Sequence, residues 1–219
     1  MIILTWKRGI VLNKVNNIYC VGRNYAAHAK ELLNEIPTSP MLFSKPTHAL
    51  AEANGQKVLL PGNRGSIHFE TEIVIRIGRP YEQGIKLEDI LDSFTIGIDF
   101  TLRDVQTELK KKGHPWLLAK GFPNSAVISE FIPFSGIEEM KKIDFSLQRN
   151  GEKVQQGNIK NMIFDLQTII DFTALNFGLG EGDLIYTGTP EGVSQVMDRD
   201  HLTLHWGNSV MGECVIKLA

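Results

Sequence analysis

The sequence predicts an α+β fold rich in strand, and three observations carry that prediction. Short apolar or alternating runs recur along the chain, as in NIYCVG (17–22), SIHFETEIVIRI (66–77) and DLIYTGTP (183–190). Only a few stretches have helical spacing, and they do not alternate regularly with the strands, which argues against a doubly wound parallel sheet. No Pro/Gly/Ser-rich linker, repeat or low-complexity block interrupts the 219 residues. Residues 1–219 therefore read as one domain, within the roughly 200–250 residues that a mostly β domain reaches.

Taken in order, NIYCVG reads as a buried strand, RNYAAHAKELL (23–33) as a helix, and MLFSKPTHAL (41–50) as a short strand ending in a loop at Pro46. The strand over 66–77 starts with alternation and becomes almost purely apolar. LEDILDSFTIGIDF (87–100) combines a short helical start with a strand that finishes near Asp99. TLRDVQTELKKKG (101–113) has helix spacing, with Thr101 placed to cap it and Gly113 to stop it. Strands follow near 126–132 and 143–149, with a turn at Asn150-Gly151. A helix is predicted from Asp165 to its stop at Gly178, ahead of the strand in DLIYTGTP.

The charge balance, 23 Lys+Arg against 25 Asp+Glu with a pI near 6.3, lacks the basic stripe or acidic tail that a nucleic-acid or membrane partner requires. A small molecule is the expected ligand. Cys20 and Cys214 have no metal-type spacing and read as unpaired structural residues in a reducing setting. The opening MIILTWKRGIVL is too short in apolar residues for a signal region, and no run approaches a membrane span, so a cytoplasmic protein is expected.

Chemistry concentrates in HFETE. Strand side chains alternate faces, so His68, Glu70 and Glu72 are predicted to project from one side. Neighbouring carboxylates near a core repel unless a shared proton, a cation or solvent relieves them. A divalent metal is the direct relief, and oxygen-only ligation suits Mg²⁺, Mn²⁺ or Ca²⁺. The same spacing also describes the wet face of a half-exposed strand. Asp99 adds a third carboxylate; Arg103 and Gln106 follow it at offsets of four and seven, so all three can lie along one helical face. An Asp there also reads as an N-cap.

Other residues are equivocal on their own. Lys120 in WLLAKGF has the pattern of a snorkelling lysine. His28 and Glu31 read as an exposed helix pair, and Lys45 before Pro46 as a solubilising loop residue within reach of a ligand carboxylate. Arg23 and Tyr25 read as helix anchors or substrate contacts, and TGTPEG as a tight turn or an anion cradle of backbone N–H groups.

Seven blocks in order, VGRNYAAHAKE, HFETE, GIDFTLRDVQ, PWLLAKGF, NG, NMIFD and GDLIYTGTPEGV, resemble the fumarylacetoacetate hydrolase family, especially its short single-domain members. The resemblance runs from about Ile18 to the C-terminus. It implies a β-rich roll or sandwich with a few short helices, commonly as a homodimer. It implies Glu70, Glu72 and Asp99 as ligands of Mg²⁺ or Mn²⁺, with His68 outside the ligand set. It further implies Arg103, Gln106, Lys120 and Thr189 as holders of an oxo-acid group, Lys120 also countering negative charge during reaction. His28 and Glu31 match the acid/base pair of the hydrolytic members, on a helix that closes over the site. GFPNSAVIS and the absence of a Pro-Gly-Asp turn in MDRDHLTLHWGNSV depart from the family pattern near a loop that bears on substrate size.

These residues imply an enzyme acting on a small 2-oxo acid. First in expectation is metal-dependent C–C hydrolysis of acylpyruvates to a carboxylate and pyruvate, with oxaloacetate decarboxylation as a companion. The alternative is an isomerase of 2-hydroxy-diene dicarboxylates or an oxaloacetate tautomerase. A third reading, a metabolite-binding protein without turnover, would show missing carboxylates or a missing lysine, and none is missing.

Overall fold

The computed structural model describes residues 15–31 and 35–219. The first strand, β1 (Ile18–Gly22), leads to α1 (Ala26–Glu31), then β2 (Met41–Lys45), β3 (Leu50–Glu52) and β4 (Asn54–Leu60). The end of the helix predicted over 23–33 lies outside the described residues, and its start is later than predicted because Arg23 takes a left-handed φ of 58°.

The predicted strand over 66–77 is two strands, β5 (Ile67–Phe69) and β6 (Thr71–Ile77), broken at Glu70. They belong to different sheets, so the chain turns between layers at that residue. Next come α2 (Leu87–Ile90), β7 (Leu91–Asp99), β8 (Thr101–Leu102), α3 (Arg103–Lys111) and α4 (Leu117–Lys120). Thr101 is not the cap of α3: it sits in β8, and Leu102 occupies the N-cap position without a side-chain bond. Asp99 likewise ends a strand, so it shares no helical face with Arg103 and Gln106.

The remainder comprises β9 (Ala126–Ile128), β10 (Ile132–Pro133), α5 (Ile137–Met140), β11 (Phe145–Arg149), β12 (Glu152–Gly157), α6 (Leu166–Phe177), β13 (Leu184–Tyr186), β14 (Ser194–Gln195), β15 (His201–Trp206) and β16 (Ser209–Leu218). The β11–β12 hairpin turns at Asn150 and Gly151, both at positive φ as a two-residue hairpin requires. Asp165 caps α6 by accepting from the Thr168 N–H at 2.8 Å, and Gly178 ends the helix at φ 81°.

The strands form an eight-stranded sheet in the order β2-β1-β13-β6-β7-β9-β3, with β10 also on β7, a five-stranded sheet β12-β11-β15-β16-β4, and a small sheet β14-β5-β8. The fold is α+β and rich in strand, as predicted. Ile73, Ile75, Phe94, Ile96 and Ile98 of the large sheet join Phe145, Leu147, Leu202, Leu204 and Ile216 of the second sheet in one core. Phe94 meets Trp206 edge-on there, ring centroids 5.0 Å apart. The opposite face of the large sheet is also buried, by Ile18, Cys20, Val74, Leu184 and Tyr186. Both cysteines are free and buried.

Period-two alternation assigns the site to that second face. On β6, Ile73 and Ile75 enter the main core, so Glu72 and Val74 turn the other way; on β7, Phe94, Ile96 and Ile98 do the same, so Gly97 and Asp99 turn with Glu72. Glu72 and Gly97 are direct partners in the ladder. A Cβ on Gly97 would stand 2.6 Å from Val74 Cγ2 and 2.9 Å from the Tyr186 ring, so glycine keeps this face packed beside the carboxylates.

Candidate metal centre and active site

Glu70, Glu72 and Asp99 are all buried, and each offers a carboxylate oxygen within 4.8 Å of the others. Glu70 comes from the break between β5 and β6, Glu72 from the second residue of β6, and Asp99 from the end of β7. The break is what turns Glu70 toward the other two, and the Asp99 N–H donating to Glu70 O at 2.8 Å fixes it. His68 lies on β5, part-exposed and outside this group. Burial first, and then Arg103, lowers its pKa.

Three cations meet the trio. Lys120, itself only 2% exposed, donates to Glu70 Oε2 at 2.7 Å and to Asp99 Oδ2 at 2.6 Å. It is a core residue and does not snorkel. Arg103 donates through Nη2 to Glu70 Oε1 at 2.6 Å and through Nη1 to Gln106 Oε1 at 2.7 Å, while the Thr101 hydroxyl donates to Glu70 Oε1 at 3.0 Å. Lys45 is buried too, its Nζ 2.8 Å from Asp99 Oδ1. Its N–H groups, however, are directed at Phe100 O, Lys120 O and Ser125 Oγ. Lys45 is thus an internal strut of the site, not the solubilising loop residue the sequence suggested.

Burial and charge divide the carboxylates. Burial alone pushes Glu70 up, but Lys120 and Arg103 outweigh it and hold this carboxyl well below its usual range. Burial also dominates at Glu72, and Asp99 adds to it; the opposing N–H of Gly188 is too weak to offset them, so Glu72 is held well above the carboxylate range. At Lys120 burial works against the charge, yet Asp99 and Glu70 prevail and the ammonium holds its proton more tightly than usual.

These side chains fit a divalent cation. Asp99 Oδ1 is buried and accepts no hydrogen bond, and Glu72 is the carboxylate the ammonium groups fail to neutralise. A hard cation beside three oxygen donors satisfies both. Glu70, Glu72 and Asp99 are the residues that would hold it.

The trio forms the floor of a cleft lined also by Arg23, His28, Phe43, Arg103, Gln106 and Lys110. On α1, His28 is buried, and its Nδ1 lies 3.2 Å from Glu31 Oε2, whose side chain is one-third exposed. Thr189 lines the cleft, but its hydroxyl already donates to Thr71 O and accepts from Gln155 Nε2, both at 2.9 Å. The TGTPEG turn does present N–H groups to anions, and those anions belong to this chain: Gly188 N donates to Glu72 Oε2 at 2.7 Å, and Gly192 N to Glu31 Oε1 at 3.0 Å. Both glycines are at positive φ, and a Cβ on Gly192 would stand 2.3 Å from Val154 O.

Sequence reasoning missed two further supports. Buried Asn24 donates to Thr187 O and Phe164 O and accepts from Phe164 N, tying the start of α1 to the turn. Buried Gln155 accepts from Thr71 N and donates to Thr189 and Pro190, locking the strand interruption at Glu70 to the same turn. Each joins segments far apart in sequence, so no local pattern marks it.

The family model for the fumarylacetoacetate (FAA) hydrolase C-terminal region matches residues 17–216. The chain belongs to the fumarylacetoacetate hydrolase family. Within it, the chain is 37% identical over 204 residues to the oxaloacetate tautomerase YcgM of Escherichia coli, covering 91% of this chain and 92% of the relative. It is 39% identical over 189 residues to the human mitochondrial oxaloacetate tautomerase FAHD1, covering 85% of each. Among solved family structures, a fumarylpyruvate hydrolase from Pseudomonas aeruginosa in complex with Mn²⁺ and pyruvate superposes with a TM-score of 0.83 at 32% identity, covering 94% of this chain and 90% of that one.

Proposed function

We propose that this chain is a divalent-metal-dependent enzyme that interconverts the keto and enol forms of oxaloacetate. One arrangement carries the reading: a buried carboxylate trio beside fixed cations at the floor of a cleft, with a hydrogen-bonded imidazole–carboxylate pair on its wall. The floor suits the oxo-acid end of a substrate and the wall suits proton transfer. The names of the two relatives at 37% and 39% identity, both oxaloacetate tautomerases, favour proton transfer over bond cleavage.

Bound at the trio, Mg²⁺ or Mn²⁺ supplies a Lewis-acid pull on the carbonyl of an oxo acid, which acidifies the neighbouring C–H. With both Nη groups of Arg103 donated to Glu70 and Gln106, its Nε–H, which has no hydrogen-bond partner among the described residues, and the Gln106 amide N–H are the donors left for the substrate carboxylate. With Nδ1–H donated to Glu31, His28 keeps a lone pair on Nε2 that takes the C3 proton and returns it to the carbonyl oxygen. Glu31 is itself held by the Gly192 N–H, so it orients the ring. Lys120 keeps its proton and acts as a fixed positive charge beside the developing negative one.

Acylpyruvate hydrolysis is the second reading. The same imidazole–carboxylate pair suits activation of a water molecule, and the Pseudomonas structure is that of a fumarylpyruvate hydrolase. Two measurements on Mg²⁺-loaded protein separate them: decay of the enol absorbance of oxaloacetate, and pyruvate release from acetylpyruvate and oxaloacetate in a coupled assay. Accelerated decay without pyruvate supports tautomerisation. Pyruvate release with no faster enol decay overturns it in favour of cleavage.

A further inference from the structure

We propose that Arg23, with Lys110 beside it, recognises a second, distal carboxylate, so that the cleft selects dicarboxylic over monocarboxylic 2-oxo acids. The inference rests on the 2-oxo acid reading above and assigns two residues that the chemistry on the floor does not use. Arg23 follows β1 directly and lines the cleft. Its φ of 58° places an arginine in the left-handed region, which disfavours a residue with a Cβ and persists only where the surroundings impose it. Among the described residues no carboxylate forms an ion pair with it. Lys110, on the exposed side of α3, lines the same cleft.

The charges around the cleft agree. Its lining carries four permanent cations, Arg23, Arg103, Lys110 and Lys120, against three carboxylates. A divalent cation at the trio widens the positive excess, which a dianion offsets better than a monoanion. Like charges are already felt at the rim: after burial, Arg23 and Arg103 are what lower the pKa of Lys110. The cations also have a division of labour. Arg103 and Lys120 are committed to Glu70 and Asp99 on the floor. Arg23 reaches the cleft from β1, on a separate segment of the chain.

Calorimetric titration of Mg²⁺-loaded protein with freshly dissolved oxaloacetate and with pyruvate tests the inference without relying on turnover. A charge-assisted contact contributes roughly 1.5–3 kcal/mol, so Arg23→Met is expected to weaken oxaloacetate binding roughly 10- to 100-fold. Pyruvate affinity is expected to change less than about twofold, because pyruvate has no distal group to lose. Arg23→Lys, which retains the charge, recovers most of the loss, and Lys110→Met, at an exposed helix position, reproduces a smaller selective loss. Equal weakening of both ligands, or no weakening of oxaloacetate in either Met variant, overturns the inference. Selective binding loss in an enzyme that never accelerates enol decay would instead keep this assignment and remove the tautomerase reading.

Discussion

Replacing Lys45 by Met separates an internal strut from a loop lysine. The side chain is fully enclosed, as is that of Asp99, whose Oδ1 lies 2.8 Å away. The substitution keeps the apolar stem and removes the ammonium. Asp99 loses one of its two neutralising cations, and Phe100 O loses a donor, while Lys120 O keeps the Ser125 hydroxyl at 2.7 Å. Removing one partner of a buried ion pair costs about 3–5 kcal/mol, mostly from the charge left behind. For a chain of this length each kcal/mol moves the melting temperature by roughly 2–4 °C, so a drop of roughly 6–20 °C is expected in chelator. A surface lysine would change stability by only about 0.5 kcal/mol. Circular-dichroism melts of Lys45→Met and wild type, each in EDTA and in excess Mg²⁺, read the difference. Mg²⁺ should recover part of the loss, since a cation beside Asp99 replaces the missing charge. A drop below about 2 °C in EDTA would show that Lys45 is not an internal strut.

Further outcomes follow from the same geometry. Glu31→Gln should slow turnover about 10²- to 10⁴-fold while Mn²⁺ affinity, read by titration, stays unchanged, because Glu31 is outside the trio. Glu72 is held above its unfolded pKa, so the folded state retains a proton there that the unfolded state releases; its contribution to stability is present below about pH 4.5 and is lost as pH rises. Wild type minus Glu72→Gln melting curves in EDTA should therefore fall with rising pH, and a flat difference would contradict it. Arg103→Lys retains charge but loses the fork that joins Glu70 to Gln106. It should lower kcat/KM for oxaloacetate by roughly tenfold or more, the weight of one charge-assisted bond, and steady-state kinetics would show it.

The legible parts of the site were those where local pattern and chemistry coincide. HFETE places two carboxylates two residues apart, and GIDF ends an apolar run in a third, so their grouping was arguable from the sequence. The break at Glu70 was not, because alternation continues across it in sequence while the ladder partners change sheet. Locally, Lys120 read as a snorkelling lysine and Lys45 as a solubilising loop residue. The family resemblance gave Lys120 a role, and nothing local did so for Lys45. TGTPEG was legible as a turn offering N–H groups, but not as one that spends them on Glu72 and Glu31.

By itself the sequence determined the strand-rich class, the hairpin at Asn150-Gly151 and the helix after Asp165, since each follows from spacing along a few residues; the three acidic side chains came as a set from the family resemblance. The tertiary structure decided which charges neutralise which. Lys45 bonds to backbone oxygens 55 and 75 residues away, and Lys120 spans carboxylates on two separate strands. A buried charge is stable only when its partners converge in three dimensions, and that convergence is fixed by sheet order and register, which no local window contains.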